Sequence, residues 1–394
     1  MEKPAIAGGK PVRKTILPYG HQFIDEEDIK AVIDVLRSDF ITQGHKVDEF
    51  EKKVADYCGA KYAVAVSSGT TALQLACAAA GISSGDEVIT TPLTFAATAN
   101  AIVHLGAKPI FADIKENTLN IDPIEVRKKI TSRAKAILPV DFAGFPAELA
   151  EIKTIGQKNN LVVIEDACHA LGAEYNGKRI GSISDMTVFS FHPVKHITTG
   201  EGGIILTDNR TFYEELKCLR HHGIIKKDNT EEPWRYDITQ AGYNFRITDF
   251  QCALGLSQMN KLDRFINRRN EIAARYDKAF SDMKEIITPL KKEGIKPACH
   301  LYVSQLNNEL LSAARKEIFK ALIAENIGVQ VHYIPLHLHS FYQQRFGYKP
   351  GDFPIAEKYY SRAITLPLFP AMSDKDVNDV IEAVEKVISH YRKA

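Results

Sequence analysis

Lys195 is the residue of this chain whose surroundings best suit covalent chemistry. It follows the run Phe189–Phe191 and precedes the glycine-rich turn Gly200–Gly203. Most lysines are ordinary surface residues. An amine held between an apolar strand and a flexible turn, however, can form an imine with a carbonyl carbon. These flanks predict an imine-forming amine at Lys195.

Asp166 closes a second candidate segment, the apolar run Leu161–Glu165. A carboxylate at the end of a buried strand is costly without a cationic partner, and a protonated pyridine nitrogen would be such a partner. A strand-end turn or a metal ligand would explain Asp166 as well. His169 is a weaker candidate, because many histidines only satisfy a local hydrogen bond.

The third segment, Ser67–Thr71, joins a predicted strand to an alanine-rich helix. Backbone amides at a helix N-terminus are unpaired and lie at the positive end of the helix dipole, so they suit a phosphate. Gly69 allows close approach of a ligand, and the hydroxyls of Thr70 and Thr71 add donors. An ordinary Ser/Thr helix cap would leave the same pattern.

Together the three segments supply what a pyridoxal phosphate site needs. They offer an anion anchor, a partner for a pyridinium nitrogen and an imine-forming amine. This combination is more specific than any one segment, and it predicts that cofactor.

Alternating strands and helices must position these residues. Because the strands are rich in Val and Ile and helices separate most of them, we expect a largely parallel sheet covered on both faces, with the ligand beyond the strands' carboxyl ends. The predicted strands are Tyr62–Val66, Glu87–Thr91, Pro109–Asp113, Ala136–Val140, Leu161–Glu165, Thr187–Phe191 and Gly203–Thr207. The predicted helices are Thr70–Ala80, Ala96–Leu105, Pro123–Lys129 and Ala147–Lys158, preceded by one that Asp25 caps, with Ile29, Val32, Ile33 and Leu36 on one face.

The pattern changes after about Gly223. A polar segment containing Lys226, Lys227, Asp228, Glu231, Glu232 and Pro233 predicts a long loop. The helices Thr248–Met259 and Lys261–Phe280 follow, and an amphipathic helix, Asp374–Tyr391, ends the chain. With 394 residues, two domains are expected. We predict an N-terminal segment with a large cofactor-binding domain over 1–247, and a helical connection with a small α/β domain over 248–394.

The bulk composition excludes several classes of protein. A formal net charge of +1 gives no basic footprint for nucleic acid. No signal peptide is recognised at the N-terminus, and the most apolar stretch, Leu73–Ile82, is too short to span a membrane. Six scattered cysteines predict neither a zinc site nor a disulfide framework, so a cytoplasmic location is expected. No customary metal-ligand spacing surrounds His332, His337 and His339, and we expect no metal.

The sequence resembles the DegT/DnrJ/EryC1/StrS sugar aminotransferases over nearly its whole length. The resemblance implies fold type I, the aspartate aminotransferase-like architecture, with a mostly parallel seven-stranded sheet and a smaller C-terminal α/β domain. It also implies a homodimer with shared active sites. The matching blocks are Ser68–Leu73, Pro92–Phe95, Glu165–Gly172, Phe189–Lys195 and Asn244–Arg246.

By this resemblance Lys195 is the Schiff-base lysine and general acid/base. Asp166 pairs with the pyridinium nitrogen, and His169 lies against the cofactor ring or its phenolic oxygen. Phe95 stacks on the ring. The remaining cofactor contacts go to the phosphate, from Gly69, Thr70 and Ser190 and, across the dimer, from Asn244 of the neighbouring subunit.

Within the family, the chain resembles the aminotransferases of pseudaminic acid biosynthesis in further stretches. Those enzymes aminate C4 of a UDP-linked 2-acetamido-2,6-dideoxy-4-keto-hexose with glutamate as donor. The supporting stretches are Phe40–Gly44, His192–Thr199, His222–Asp228 and Val329–Tyr333. This similarity implies a sugar-nucleotide site lined by Tyr19, Asp39, Phe40, Ile41, Thr42, Gln330, Val331, His332 and Tyr333. Cys168 departs from the small Ala or Ser of many relatives, with little consequence expected.

Three alternatives remain at the level of sequence. The acceptor could be another nucleotide-linked 4-keto sugar, such as a GDP-linked (perosamine-type) or UDP-arabinose-derived one. A sugar dehydratase of the same family would carry histidine in place of Lys195, although His196 is adjacent. A non-catalytic regulator could retain the cofactor pocket without turnover.

Overall fold

The structure is a computed structural model that describes residues 2–226, 232 and 234–393. Its strands are β1 (Tyr62–Val66), β2 (Glu87–Thr90), β3 (Lys108–Phe111), β4 (Ala134–Leu138), β5 (Val162–Asp166), β6 (Glu174–Tyr175), β7 (Lys178–Arg179), β8 (Met186–Ser190), β9 (Gly203–Thr207), β10 (Ile224–Lys226), β11 (Tyr236–Ile238), β12 (Ile286–Ile287), β13 (Ile295–Lys296), β14 (Tyr302–Leu306) and β15 (Ala363–Leu366).

Its α-helices are α1 (Glu26–Leu36), α2 (His45–Cys58), α3 (Gly69–Ala79), α4 (Ala96–His104), α5 (Pro123–Lys128), α6 (Leu149–Asn159), α7 (Arg210–Arg220), α8 (Asp249–Met259), α9 (Leu262–Phe280), α10 (Arg315–Ala324), α11 (Ser340–Phe346), α12 (Pro354–Arg362) and α13 (Asp374–Tyr391). Short 3-10 turns cover Ala5–Ala7, Phe142–Gly144 and Leu336–Leu338.

A seven-stranded sheet organises the chain in the order β1-β9-β8-β5-β4-β2-β3. The strands β8, β5, β4, β2 and β3 pair in parallel, whereas β9 is antiparallel to both of its neighbours. The strands are almost wholly buried because helices cover both faces, which is why they read as continuous Val/Ile-rich runs. The predicted α/β fold with a mostly parallel seven-stranded sheet is confirmed.

The apolar periodicity of the sequence predicted most of the covering helices. Side-chain hydrogen bonds cap the N-termini of several of them. The Asp25 side chain caps α1 by accepting hydrogen bonds from the amides of Glu27 and Asp28. The apolar face of α1, however, is not buried: Ile33 and Leu36 are exposed. An apolar helix face that this chain leaves uncovered is typical of a binding surface.

The C-terminal part contains a separate antiparallel sheet in the order β12-β14-β15. Helices α10 and α13 pack on it around a second hydrophobic core, to which Leu17 from the N-terminal segment also belongs. The division into domains at residues 247 and 248 stays a prediction.

The polar segment predicted as one long loop is bordered by two short strands that pair with each other. Strands β10 and β11 pair antiparallel, with Ile224 opposite Ile238. Lys227, Asp228, Glu231 and Pro233, which were part of that prediction, lie outside the described residues. Among the helices that the structure describes, none is long and apolar enough to cross a membrane.

Candidate active site

A cavity of about 450 Å³ opens beyond the carboxyl ends of β1, β2, β5 and β8. All three segments singled out in the sequence reach it, because parallel strands deliver their ends to one edge of the sheet. Its walls include Tyr19, Ser68, Gly69, Thr70, Thr94, Phe95, Thr98, Val140, Asp166, Cys168, His169, Ser190, Lys195, His300, His332 and Tyr333.

The N-terminus of α3 forms one end of the cavity. The side chain of Ser68 accepts from the Thr71 amide at 3.1 Å, and the Thr71 hydroxyl oxygen accepts from the Ser68 amide at 3.0 Å. This capping box leaves the first helical amides, those of Gly69 and Thr70, directed outward for an anion. A Cβ at Gly69 would lie 2.8 Å from the Ser190 Cβ, so only glycine lets α3 approach that serine so closely.

Asp166 lies at the end of β5 with 5% of its surface exposed. Its Oδ2 accepts from the Thr98 hydroxyl at 2.7 Å, and its Oδ1 accepts from the Cys168 amide at 3.2 Å. Thr94 extends the network through a hydroxyl contact with Thr98 at 2.7 Å. Neither donor to Asp166 carries a charge, so a cation that entered the cavity beside this carboxylate would be stabilised.

Lys195 lies in a tight turn after β8, where its amide donates to the His192 carbonyl at 2.9 Å. Burial lowers the pKa of its amino group, although the nearby Asp166 carboxylate raises that pKa in part. A lowered amine pKa increases the fraction of uncharged amine, which is the form that attacks carbonyl carbons and accepts protons.

His169 is oriented by hydrogen bonds at both ring nitrogens. Its Nδ1 lies 3.3 Å from the Ala143 amide, which donates to it, and its Nε2 lies 3.3 Å from the Tyr333 hydroxyl. Burial lowers the pKa of His169 well below its usual value, and the nearby Lys195 lowers it further. We therefore expect a neutral ring that carries its proton on Nε2.

These residues fit pyridoxal phosphate. The amides of Gly69 and Thr70 and the hydroxyl of Ser190 lie together at one end of the cavity, where they would hold the phosphate. Asp166 offers a buried carboxylate for the ring nitrogen, and Lys195 offers an amine for the aldehyde.

Several residues predicted for the site do not line this cavity. Asn244 is exposed and pairs with His221, while Thr42 pairs with Thr248. Phe40 instead lines a separate cleft between α1, α2 and α8. Asp39, Ile41, Gln330 and Val331 are also absent from the walls of the cavity. Their assignment to the site stays a prediction.

Sequence reasoning missed contacts that the fold creates. Thr98 was not singled out, although it lies in the first turn of α4, four residues after Thr94, whose hydroxyl contacts it. His300 was also missed: its ring centroid lies 4.5 Å from that of His169. The spacing from Thr94 was an available signal for Thr98, whereas no local pattern pointed to His300.

The C-terminal histidines have separate environments. His332 lines the cavity and its Nδ1 lies 2.9 Å from the Thr365 hydroxyl, whereas His337 pairs with Glu357 at 2.8 Å. In the described part of the chain, no group of three or more His, Cys, Asp or Glu side chains could hold a metal ion.

Comparisons with known proteins agree on one family. The model of the DegT/DnrJ/EryC1/StrS aminotransferase family matches residues 22–385. The spore coat polysaccharide biosynthesis protein SpsC of Bacillus subtilis is 46% identical over 381 residues, which are 95% of this chain and 98% of that protein. The UDP-4-amino-4,6-dideoxy-N-acetyl-beta-L-altrosamine transaminase of Campylobacter jejuni serotype O:23/36 is 40% identical over 96% of this chain and 99% of its own length.

A solved structure gives the same result for the fold. The PLP form of the putative sugar aminotransferase Spr1654 from Streptococcus pneumoniae superimposes with a TM-score of 0.89 at 32% identity. The match covers 95% of this chain and 99% of that chain. The similarity therefore extends over both the sheet and the C-terminal part.

Proposed function

We propose that this chain, which belongs to the DegT/DnrJ/EryC1/StrS aminotransferase family and is a pyridoxal-phosphate-dependent sugar aminotransferase, transfers an amino group from L-glutamate to C4 of UDP-2-acetamido-2,6-dideoxy-beta-L-arabino-hex-4-ulose. That reaction belongs to pseudaminic acid biosynthesis. The observation that carries the proposal is the convergence of Lys195, Asp166 and the α3 N-terminus on one cavity.

Each side chain would have a separate role, which follows from its position in the cavity. Bound pyridoxal phosphate supplies an electron sink that allows an amino group to pass between carbon atoms. Lys195 would hold the cofactor between turnovers, and its Nζ would carry the proton that moves during transfer. Asp166 would hold a proton on the pyridine nitrogen by pairing with it, and Thr98 orients the Asp166 carboxylate.

The walls of the cavity would orient the ring and the substrate. Phe95 is 59% exposed and lies at the cavity, where its ring can cover a planar group. His169 also lines the cavity and contributes a neutral ring there. Tyr19, His332 and Tyr333 also line the cavity, and we assign them to the sugar nucleotide.

A second acceptor is a different nucleotide-linked 4-keto sugar. The observation that favours it is the 46% identity to a protein of spore coat polysaccharide biosynthesis, which exceeds the 40% identity to the altrosamine transaminase. Both alternatives use the same cofactor chemistry, so Lys195 and Asp166 do not discriminate between them.

The nature of the acceptor is tested with a substrate panel. We expect amination of the UDP-linked 2-acetamido-2,6-dideoxy-4-keto sugar, with slower reaction of GDP-linked and UDP-arabinose-derived 4-keto sugars. Mass and NMR analysis of each product would locate the new amine at C4. Faster turnover of another 4-keto sugar would favour the second acceptor. Rates with pyruvate or oxaloacetate comparable to those with the sugar would move the protein to amino-acid metabolism.

A homodimer with shared sites would explain the predicted residues that lie outside the cavity. Ile41 and Thr42 contact Asp249 and Thr248 through backbone pairing, only a few residues after Asn244. Gln330 pairs with Thr365 of β15, whereas Phe40, Ile41 and Thr42 lie near the start of α8, outside the cavity. That region is also apolar and uncovered, with Phe40 62% exposed. A second copy would bury it and bring Asn244 to the partner's phosphate.

Mixing two inactive variants tests this arrangement. Lys195→Ala and Asn244→Ala are each first shown to be inactive and are then combined by reversible unfolding. About half of the dimers would be mixed, each with one intact site, so activity should return to roughly a quarter of the parental value. If each site drew Asn244 from its own chain, no activity would return once subunit exchange had been verified by mass spectrometry of differently tagged chains.

For the compartment we propose the cytoplasm. All six cysteines are free thiols, and burial raises the pKa of five of them. Unpaired thiols are usual where glutathione and thioredoxin keep proteins reduced.

A further inference from the structure

A buried arginine, Arg269, lies behind the turn that carries Lys195. It belongs to α9 and is 1% exposed. Its Nη1 donates to the carbonyl oxygens of His300 at 3.2 Å and Leu368 at 2.8 Å. Its Nη2 donates to those of Val194 at 3.2 Å and Lys195 at 3.4 Å. All four acceptors are neutral carbonyls, so these bonds leave the charge of the guanidinium uncancelled.

We propose that Arg269 is a positioning residue for the transamination: its guanidinium fixes the Lys195 turn against the strands that complete the site. The proposal rests on the role of Lys195 in the proposed function. A guanidinium is a rigid planar fork with five donors, so it can hold several carbonyls in defined directions. These carbonyls come from three distant segments: the turn after β8, the residues just before β14 and those just after β15.

Two of the segments that Arg269 binds lead to the walls of the cavity. The Leu368 amide donates to the Tyr19 carbonyl at 3.0 Å, and Tyr19 lines the cavity. The His300 ring lies next to that of His169, with 4.5 Å between ring centroids. Arg269 therefore connects the Lys195 turn to the segments that place His300 and Tyr19 at the cavity. Loss of this connection would misplace the amine relative to the carbon atoms it serves.

The charge of Arg269 adds an effect that a purely structural residue would lack. Burial lowers the pKa of the Arg269 guanidinium to about 10, so it is still a cation at neutral pH. Burial is the main cause of the lowered pKa of Lys195, and the Arg269 charge lowers that pKa further. The other titratable groups that interact with Lys195 are Asp166, Cys168, His169, His196, His300 and His332.

The test compares Arg269→Met, which removes the charge, with Arg269→Lys, which keeps it but provides fewer donors. The proteins are converted with glutamate to their pyridoxamine phosphate form, which frees Lys195. Trace acetylation of Lys195 is then followed by mass spectrometry as a function of pH. We expect the acetylation curve of Arg269→Met to move to higher pH and that of Arg269→Lys to stay near the parental curve. The kcat of Arg269→Lys should fall roughly ten- to hundredfold, because its turn is held less firmly.

Arg268→Met is the matched control. Arg268 precedes Arg269 on α9 but bonds to Glu271, Asp374 and the Met372 carbonyl, away from the Lys195 turn. It should change neither the acetylation curve nor kcat. An unmoved curve for a folded Arg269→Met, or parental kcat in Arg269→Lys, would overturn the proposal. If Arg269→Met does not fold, Arg269→Lys decides the question.

Failure of the proposed function would give a different acetylation result from failure of the Arg269 proposal. In the parental protein, the pyridoxal phosphate form should protect Lys195 from acetylation and the pyridoxamine phosphate form should not. If Lys195 reacts equally in both forms, it is not the cofactor-binding lysine. Protection in the parent together with an unchanged curve in Arg269→Met would reject only the role of Arg269.

Discussion

Replacement of Lys195 by alanine is expected to reduce transamination at least about 10³-fold, because it removes the covalent holder of the cofactor and the carrier of the moving proton together. The variant should fold and still bind pyridoxamine phosphate, since the proposed phosphate cradle at Gly69 and Ser190 is untouched. Steady-state turnover with glutamate and the keto-sugar measures the effect. The visible absorption of the purified protein provides a second, independent signal.

Lys135→Ala is a suitable control for this experiment, because Lys135 is an exposed lysine on β4. It should retain the parental rate and absorption. If Lys195→Ala retained turnover within about tenfold of the parent, another lysine would have to hold the cofactor. A protein that is yellow but is not bleached by glutamate would favour the non-catalytic regulator.

The Asp166→Asn variant should fold normally but lose about 10²–10³-fold in the rate at which glutamate converts the cofactor in a single turnover. The neutral amide nearly keeps the shape of the carboxylate and can still accept from the Thr98 hydroxyl. It cannot hold a proton on the pyridine nitrogen, so the ring accepts electrons less readily. Stopped-flow absorbance in the presence of excess glutamate follows this half-reaction directly.

Asp208→Asn supplies the comparison for that variant. Asp208 follows β9, whose reversed direction places it at the edge of the sheet opposite the cavity, where its Oδ1 accepts from the Lys61 amide at 2.8 Å. Its single-turnover rate should equal the parental rate. An unchanged rate in Asp166→Asn would reassign Asp166 to a structural turn at the end of β5.

The sequence alone was enough to locate the strands and the central chemical groups, because their signals are local. Strands β1 and β9 were predicted with their observed bounds, since Val- and Ile-rich runs between helices are typical of a sheet buried on both faces. Lys195 and Asp166 were recognised from their immediate flanks and from the family resemblance. Both reach the same cavity because strands pairing in parallel end at the same edge.

Strand order and direction came only from the tertiary structure. No local pattern indicated that β9 runs against its neighbours, because pairing depends on partners far away in the chain. The apolar periodicity of α1 correctly predicted a helix, yet the face with Ile33 and Leu36 is exposed. Periodicity identifies an apolar face but does not determine what will cover it.

The supporting contacts of the site were likewise decided by the fold. Thr98 donates to Asp166 across 68 residues, and the Tyr333 hydroxyl meets His169 across 164. Arg269 binds the carbonyl of Lys195 across 74 residues. Such contacts depend on how helices and strands pack in three dimensions, and single residues in separate segments leave no shared spacing in the sequence. A reactive residue can therefore be recognised from its neighbours along the chain, whereas the residues that hold it in place become visible only when the chain is folded.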